Sequence, residues 1–173
     1  MVVNNYWNYL SYFGKNVPNV TDFTYDVPGI ISESGGTYGL VVGMNNNVDT
    51  FLQCEKNYAI RNNLFAKVGG SNATEAANQV SLMSDFTSYF SNFTSTVSSS
   101  VDTDKIKLIV TISGTNISGR DRTLYELGIF KSVYAWNGTM IQVNYMFVRH
   151  VLDEPIFVPA NESFTKTYQW IEQ

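Results

Sequence analysis

Glu126 stands in the middle of RTLYELGIF, residues 122–130, a run that is apolar except at its ends. A carboxylate in that position is a candidate for acid–base catalysis, for metal ligation or for structural anchoring. Acid–base work on a glycoside needs a second carboxylate converging on the same bond. The other close acidic pairs are Asp102 with Asp104, flanking a strand start, and Asp153 with Glu154, just before Pro155. Acids so placed shape turns and meet solvent, and their spacing builds no paired pocket. Metal ligation fares no better. The chain has one cysteine, Cys54, and one histidine, His150, in a distant strand-like context, which nearly excludes a zinc site of the usual ligand types. A nucleophilic thiol would also want a histidine partner, so Cys54 reads as a small, half-buried apolar side chain. Gly39-x-x-x-Gly43 lacks the Gly-Lys-Ser/Thr of a phosphate loop, and the NNNVDT after it reads as a turn rather than a helix start. The sequence therefore predicts no catalytic residues, no metal and no cofactor.

Structural anchoring is left for Glu126. In an ideal strand it shares a face with Leu124, Gly128 and Phe130, while Tyr125, Leu127 and Ile129 face the other way. A lone carboxylate on such a face needs a cation, and Arg149, Arg120 and Arg122 are candidates. Asn137-Gly138 is a two-residue hairpin signal. With that turn and no bulge, Arg149 falls directly opposite Glu126. The expectation is a cross-strand ion pair, Glu126–Arg149, that fixes register.

The elements that would carry this pair read as short strands. KIKLIVTIS alternates from Lys105, GTNISGRD is a turn cluster, RTLYELGIFKSVYAW is a strand and TMIQVNYMFVRHVL its return. DEP breaks that strand, IFV is short, PANES turns, and FTKTYQWIE closes with strict alternation. Earlier, DFTYDVPGI reads as a strand ended at the Pro28-Gly29 turn, and GTYGLVVGM as an apolar strand with glycines allowing bends. LQCEKNYAIRNN is a short helix or a strand and turn, and VGGSNATEAANQV is a loop with a possible helical turn. Residues 80–100 fit both periods and are read mainly as strand, because Ser and Thr fill helices poorly. At the start, Tyr6, Leu10 and Phe13, with Trp7 nearby, space out a short amphipathic helix stopped by Gly14. Such a helix needs something to pack on.

Hydrophobic residues make 44% of the chain and charged ones only 15%, with a net charge of −4. Asn, Ser and Thr fill the deficit, giving a surface that is cheaper to desolvate against neighbours than one of Lys and Glu. The acidic balance, without basic runs, argues against nucleic acid and anionic membranes. No stretch approaches the length of a membrane span, and the N-terminus lacks the basic start and apolar core of a secretion signal. The N-x-S/T sequons at Asn19, Asn72, Asn92, Asn116, Asn137 and Asn161 read as a product of composition.

Two C-terminal segments, KLIVTISGTNISGRDRTLYELGIF and FVRHVLDEPIFVPANESFTKTYQW, resemble a group of small structural proteins of tailed bacteriophages. The specific part is Arg, Leu, Asp, a Pro-bounded short strand, VPAxES and an alternating last strand. The N-terminal YWNYL and TYGLVVGMNNNVDT are similar to that group as well. The chain departs from the pattern in VPANES, where a Gly commonly replaces Asn161. The resemblance implies a virion protein without catalysis.

The expectation is thus a mainly β protein: an antiparallel β-sandwich, jelly-roll-like, over residues 15–173, with a helical arm over residues 1–14. Its expected role is a capsid-associated auxiliary or decoration protein. A tail, collar or baseplate component is the alternative within the class, and a carbohydrate-binding module using Tyr134, Trp136 and Trp170 the rival outside it. Partners are expected to be further copies of the chain, in a trimer or ring, and other virion proteins. Tyr6, Trp7, Leu10, Phe13 and Trp136 are the predicted assembly contacts.

Overall fold

A computed structural model describes residue 1 and residues 24–35, 37–41, 64–102, 105–136 and 140–172. The predicted N-terminal helix with Tyr6, Trp7, Leu10 and Phe13, and also Cys54 and the Asn137-Gly138 turn, lie outside them. Eight strands account for most of what is described: β1 (Thr24–Ile31), β2 (Thr37–Val41), β3 (Leu64–Gly69), β4 (Phe90–Asp102), β5 (Lys105–Asn116), β6 (Arg122–Trp136), β7 (Met140–Val158) and β8 (Ser163–Glu172). All pairings are antiparallel. No helix among the described residues is long and apolar enough to cross a membrane.

The strands form two sheets. In the first, β6 is central: β7 runs along one edge, and β3 and β2 share the other, with β1 beyond β2. The second is β4-β5-β8. One apolar cluster draws on both sheets, with Ala66, Val68, Leu127 and Ile129 from the first meeting Val110, Ile112 and Phe90 from the second. The pairings are nested. β6 pairs with β7, and β5, before them, pairs with β8, after them. The chain changes sheets at residues 117–121 and returns at 159–162.

The sheet-changing corner is fastened by Asn116, which is fully buried. Its Nδ2 donates to the carbonyls of Arg120, Val158 and Pro159 at 2.9, 3.0 and 3.1 Å. Its Oδ1 accepts from the Ser118 N–H and hydroxyl at 3.0 and 2.8 Å. Its backbone closes the second crossing, donating to Glu162 O and accepting from Asn161 N, each at 2.9 Å. The sequon there is used up by folding. Asn161 itself has φ 65°, a left-handed conformation in which Gly is the easy exchange.

Three expectations are corrected. The first strand does not end at Pro28-Gly29: β1 runs on to Ile31, and its pairing with β2 shifts between Asp26 and Ile31. Nor does Asp153-Glu154-Pro155 break the returning strand. It is part of a bulge, with Leu152 to Pro155 set against the single residue Tyr125. A proline is tolerated in a bulge, where ladder hydrogen bonds are already interrupted. In residues 80–100 strand begins only at Phe90, after a turn of 3-10 helix at Thr87–Tyr89. β3 was unread in the sequence and supplies the core residues Ala66 and Val68.

Candidate functional site

Residues 70–86 form a strap across the outer face of β6 and β7. Leu82 from the strap packs on Phe130 and Met146, with Phe65 beside them, in a second apolar cluster. Space for the strap is made by glycines. A Cβ on Gly69 would come within 2.4 Å of Glu126 Oε1 and 2.5 Å of Ser84 O, and one on Gly128 within 2.8 Å of Leu82 Cδ2. Neither position can take a side chain without moving the strap.

Under the strap lie Glu126 and Arg149, both fully buried, with Arg149 Nε donating to Glu126 Oε2 at 2.6 Å. The two side chains meet, but not from directly opposed positions. Glu126 pairs with Val151, and Arg149 with Gly128, so the contact is diagonal. Two irregularities shift the register, one between Leu124 and Glu126 and one between Ile129 and Phe130. Leu124 consequently joins the inter-sheet core, away from the Glu126 face. The second bulge turns Phe147 and Val148 both into that core and leaves Arg149 under the strap.

The pair also organises the strap backbone. Ser84 N–H donates to Glu126 Oε1 at 2.8 Å, and Met83 N–H to Oε2 at 3.2 Å. Arg149 Nη1 donates to the carbonyls of Ala73 and Thr74 and to Gln79 Oε1, at 2.9, 3.4 and 3.3 Å. Nη2 has no partner among the described residues. A carboxylate accepting from backbone amides and a guanidinium facing carbonyls make a strong anchor. Both carboxylate oxygens of Glu126 are thus engaged, Oε1 by Ser84 N–H and Oε2 by Met83 N–H and Arg149 Nε.

Glu75, on the strap, clamps the β7 rim. Its carboxylate accepts from Val151 N–H at 2.7 Å, and lies 2.8 Å from the Met1 ammonium and 3.3 Å from His150 Nδ1. Burial pushes this carboxyl up, but the ammonium, the Val151 N–H and His150 outweigh it and hold it below the ordinary carboxylate value. A depressed carboxyl adds stability above its unfolded pKa and loses it as pH falls through the folded one. Glu75→Gln should therefore cost about 1 kcal/mol near neutrality. Urea titrations at a series of pH values should show the difference from wild type vanishing in acid, below the folded pKa. Lys67 ties the other end of the strap, with Nζ 2.6 Å from Glu33 and 3.2 Å from Asp85. Burial pulls its pKa down, and the two carboxylates raise it to a net upward shift.

The outer face of the second sheet is different in kind. Thr94 and Ser113, Thr111 and Thr167, and Thr115 and Ser163 bond hydroxyl to hydroxyl across strands at 2.6, 2.9 and 2.8 Å. Exposed Thr96, Ser98 and Thr165 extend this row of hydroxyls.

Among the described residues no three or more His, Cys, Asp or Glu cluster as metal ligands. Asp153 and Glu154 are exposed at the β7 bulge, and Asp102 ends β4 opposite Lys105. Arg122 is not a partner of Glu126. Its guanidinium lies over the rings of Tyr89 and Phe86, 3.9 and 4.9 Å from their centroids. Trp136 ends β6, paired with Met140 and with Gly39 of β2; its side chain is outside what the structure describes. Sequence reasoning missed Asn116 and the acceptance of strap amides by Glu126. Among so many Asn and Ser residues, neither leaves a mark in composition or period. No protein-family model, no curated protein and no solved structure matches this chain.

Proposed function

We propose that this chain is a non-enzymatic structural subunit of a tailed-bacteriophage virion, a capsid-associated auxiliary or decoration protein built as a jelly-roll-like β-sandwich. The observation that carries the reading is the division of labour among polar groups. The buried pair Glu126–Arg149 is enclosed in strap hydrogen bonds, while the outer face of β4-β5-β8 carries hydroxyls bonded to one another across its strands. Hydroxyls that already bond one another can be covered by a neighbour at less desolvation cost than charged groups. The nested pairing of β5 with β8 around β6 with β7 is the connectivity of a long hairpin folded over on itself, which supports the jelly-roll-like reading. The resemblance of the C-terminal segments to phage structural proteins supplies the particle.

The test is to purify particles by density gradient and probe them with antibodies to this chain. The expected result is a band at high copy number per particle, with gold label over the shell. Label confined to the tail would select a tail, collar or baseplate role. Absence from particles, with binding to a glycan array, would select the carbohydrate-binding module instead.

A further inference from the structure

The sheet rims differ in how they are finished. The free rim of β3 is closed by side chains, with Ala66 N–H donating to Ser95 Oγ at 2.9 Å and Val68 N–H to Thr87 Oγ1 at 3.1 Å. The outer rim of β7 is met by Glu33 at Asn144, by Met1 at Arg149 and by Glu75 at Val151. β4 and β8, the rims of the second sheet, each pair with β5 alone among the described residues; β4 is interrupted by a register shift between Ser91 and Thr94, whereas the β8 pairing runs without one. The β8 sequence, SFTKTYQWIE, has no proline and only two charges, Lys166 and Glu172. An edge strand this long, so sparingly charged, lacks most of the devices that keep edges from pairing.

We propose that β8 is a dimerisation edge: two copies of this chain pair antiparallel through β8 about a twofold axis at Gln169, joining their sheets into one of six strands. Charge selects this register. Centring on Gln169 sets position 166 of each copy opposite position 172 of the other, a lysine opposite a glutamate, and does so twice. It also sets tyrosine 168 opposite tryptophan 170, an aromatic pair of the class that stabilises antiparallel strands. Centring on Thr167 instead would oppose Glu162 to Glu172 and leave Lys166 without a charge opposite it. Lys166 is exposed and available for this pairing. Beside Gln169 lies a small cavity of about 50 Å³ lined by Tyr168, His150, Val110, Ile129 and Val148. The interface is isologous and closed, the commonest arrangement for a homo-oligomer. It deepens the assembly reading above, and rests on it only in that both require contact between subunits.

The experiment is sedimentation equilibrium on the purified full chain, with circular dichroism to confirm that each variant is folded. Wild type is expected to form dimers. Lys166→Glu and Glu172→Lys should each raise the dimer Kd roughly tenfold or more, because each turns two attractive pairs into two repulsive ones. The double variant should return to within a few-fold of wild type, since its charges are exchanged rather than matched. That rescue is a result no loss of folding can imitate. A strictly monomeric wild type overturns the proposal. So does an oligomer indifferent to both single substitutions, and that outcome leaves the assembly-subunit reading standing. A charge-rescued dimer that is absent from particles would retain the β8 pairing and remove the virion role.

Discussion

Arg149→Ala is expected to cost about 3–5 kcal/mol of folding free energy, because it removes the cation from a carboxyl group buried under the strap. Replacing both members of a buried ion pair with apolar residues of similar volume is often neutral elsewhere. Here it should not be. Glu126 also accepts the amides of Met83 and Ser84, and Arg149 also serves the carbonyls of Ala73 and Thr74. A Glu126→Leu, Arg149→Met double variant would strand those strap groups, at about 1–3 kcal/mol for each that stays buried. It should therefore remain close to the single variant in urea denaturation. Limited proteolysis should show cleavage within residues 70–86 in both variants and protection in wild type. Recovery of wild-type stability in the double variant would mean that the pair binds only itself and that the strap is held by Leu82 and its apolar neighbours.

Asn116→Asp should be the most damaging isosteric change in the described fold, with a loss above about 4 kcal/mol. The Nδ2 position faces three carbonyl oxygens, and an aspartate sets an acceptor against all three. A buried carboxylate there has its pKa raised, so its charged form is what the fold rejects. The penalty is then present above the unfolded pKa and shrinks on acidification. Asn116→Ala, which removes the donor without adding an acceptor, should cost about 2–4 kcal/mol at all pH values. Chemical denaturation of the two variants at neutral and acid pH reads both effects. Equal losses, independent of pH, would show that the corner is held by backbone bonds alone.

The strands with strict period were legible in the sequence, and the places where period fails were not. β6 and β8 follow the boundaries set by alternation and flanking turns, because one face of each meets the core. β3 was hidden because Lys67 interrupts a short apolar run just before Gly69-Gly70, where a turn is the natural reading. The ion pair was legible in its members and not in its register. Opposite charges on one apolar hairpin invite each other, but each bulge adds residues to one strand only, and no periodicity records where. The first part of the strap was read as a loop and its end, from Leu82, as strand. Its attachment uses backbone amides and carbonyls, which every sequence has and which therefore distinguish none.

The nesting of β5 with β8 around β6 with β7 also has a meaning in time. Trp136 and Met140 pair across a short connection, whereas Thr115 must find Ser163, on the far side of the whole hairpin. Closing the larger loop first is entropically unfavourable, and the formed hairpin shortens it. β6 and β7 are therefore expected to zip first, and contacts of such high sequence separation to make the completed fold slow to reach. On the ribosome, β5 emerges before β8 and, among the described strands, has only β4 to pair with until residues 163–172 have been made. During that interval the core side of β5, with Val110 and Ile112, belongs to a half-built sheet with an open edge. Nascent chains stalled between β7 and β8 are thus the species most exposed to aggregation and to chaperone capture.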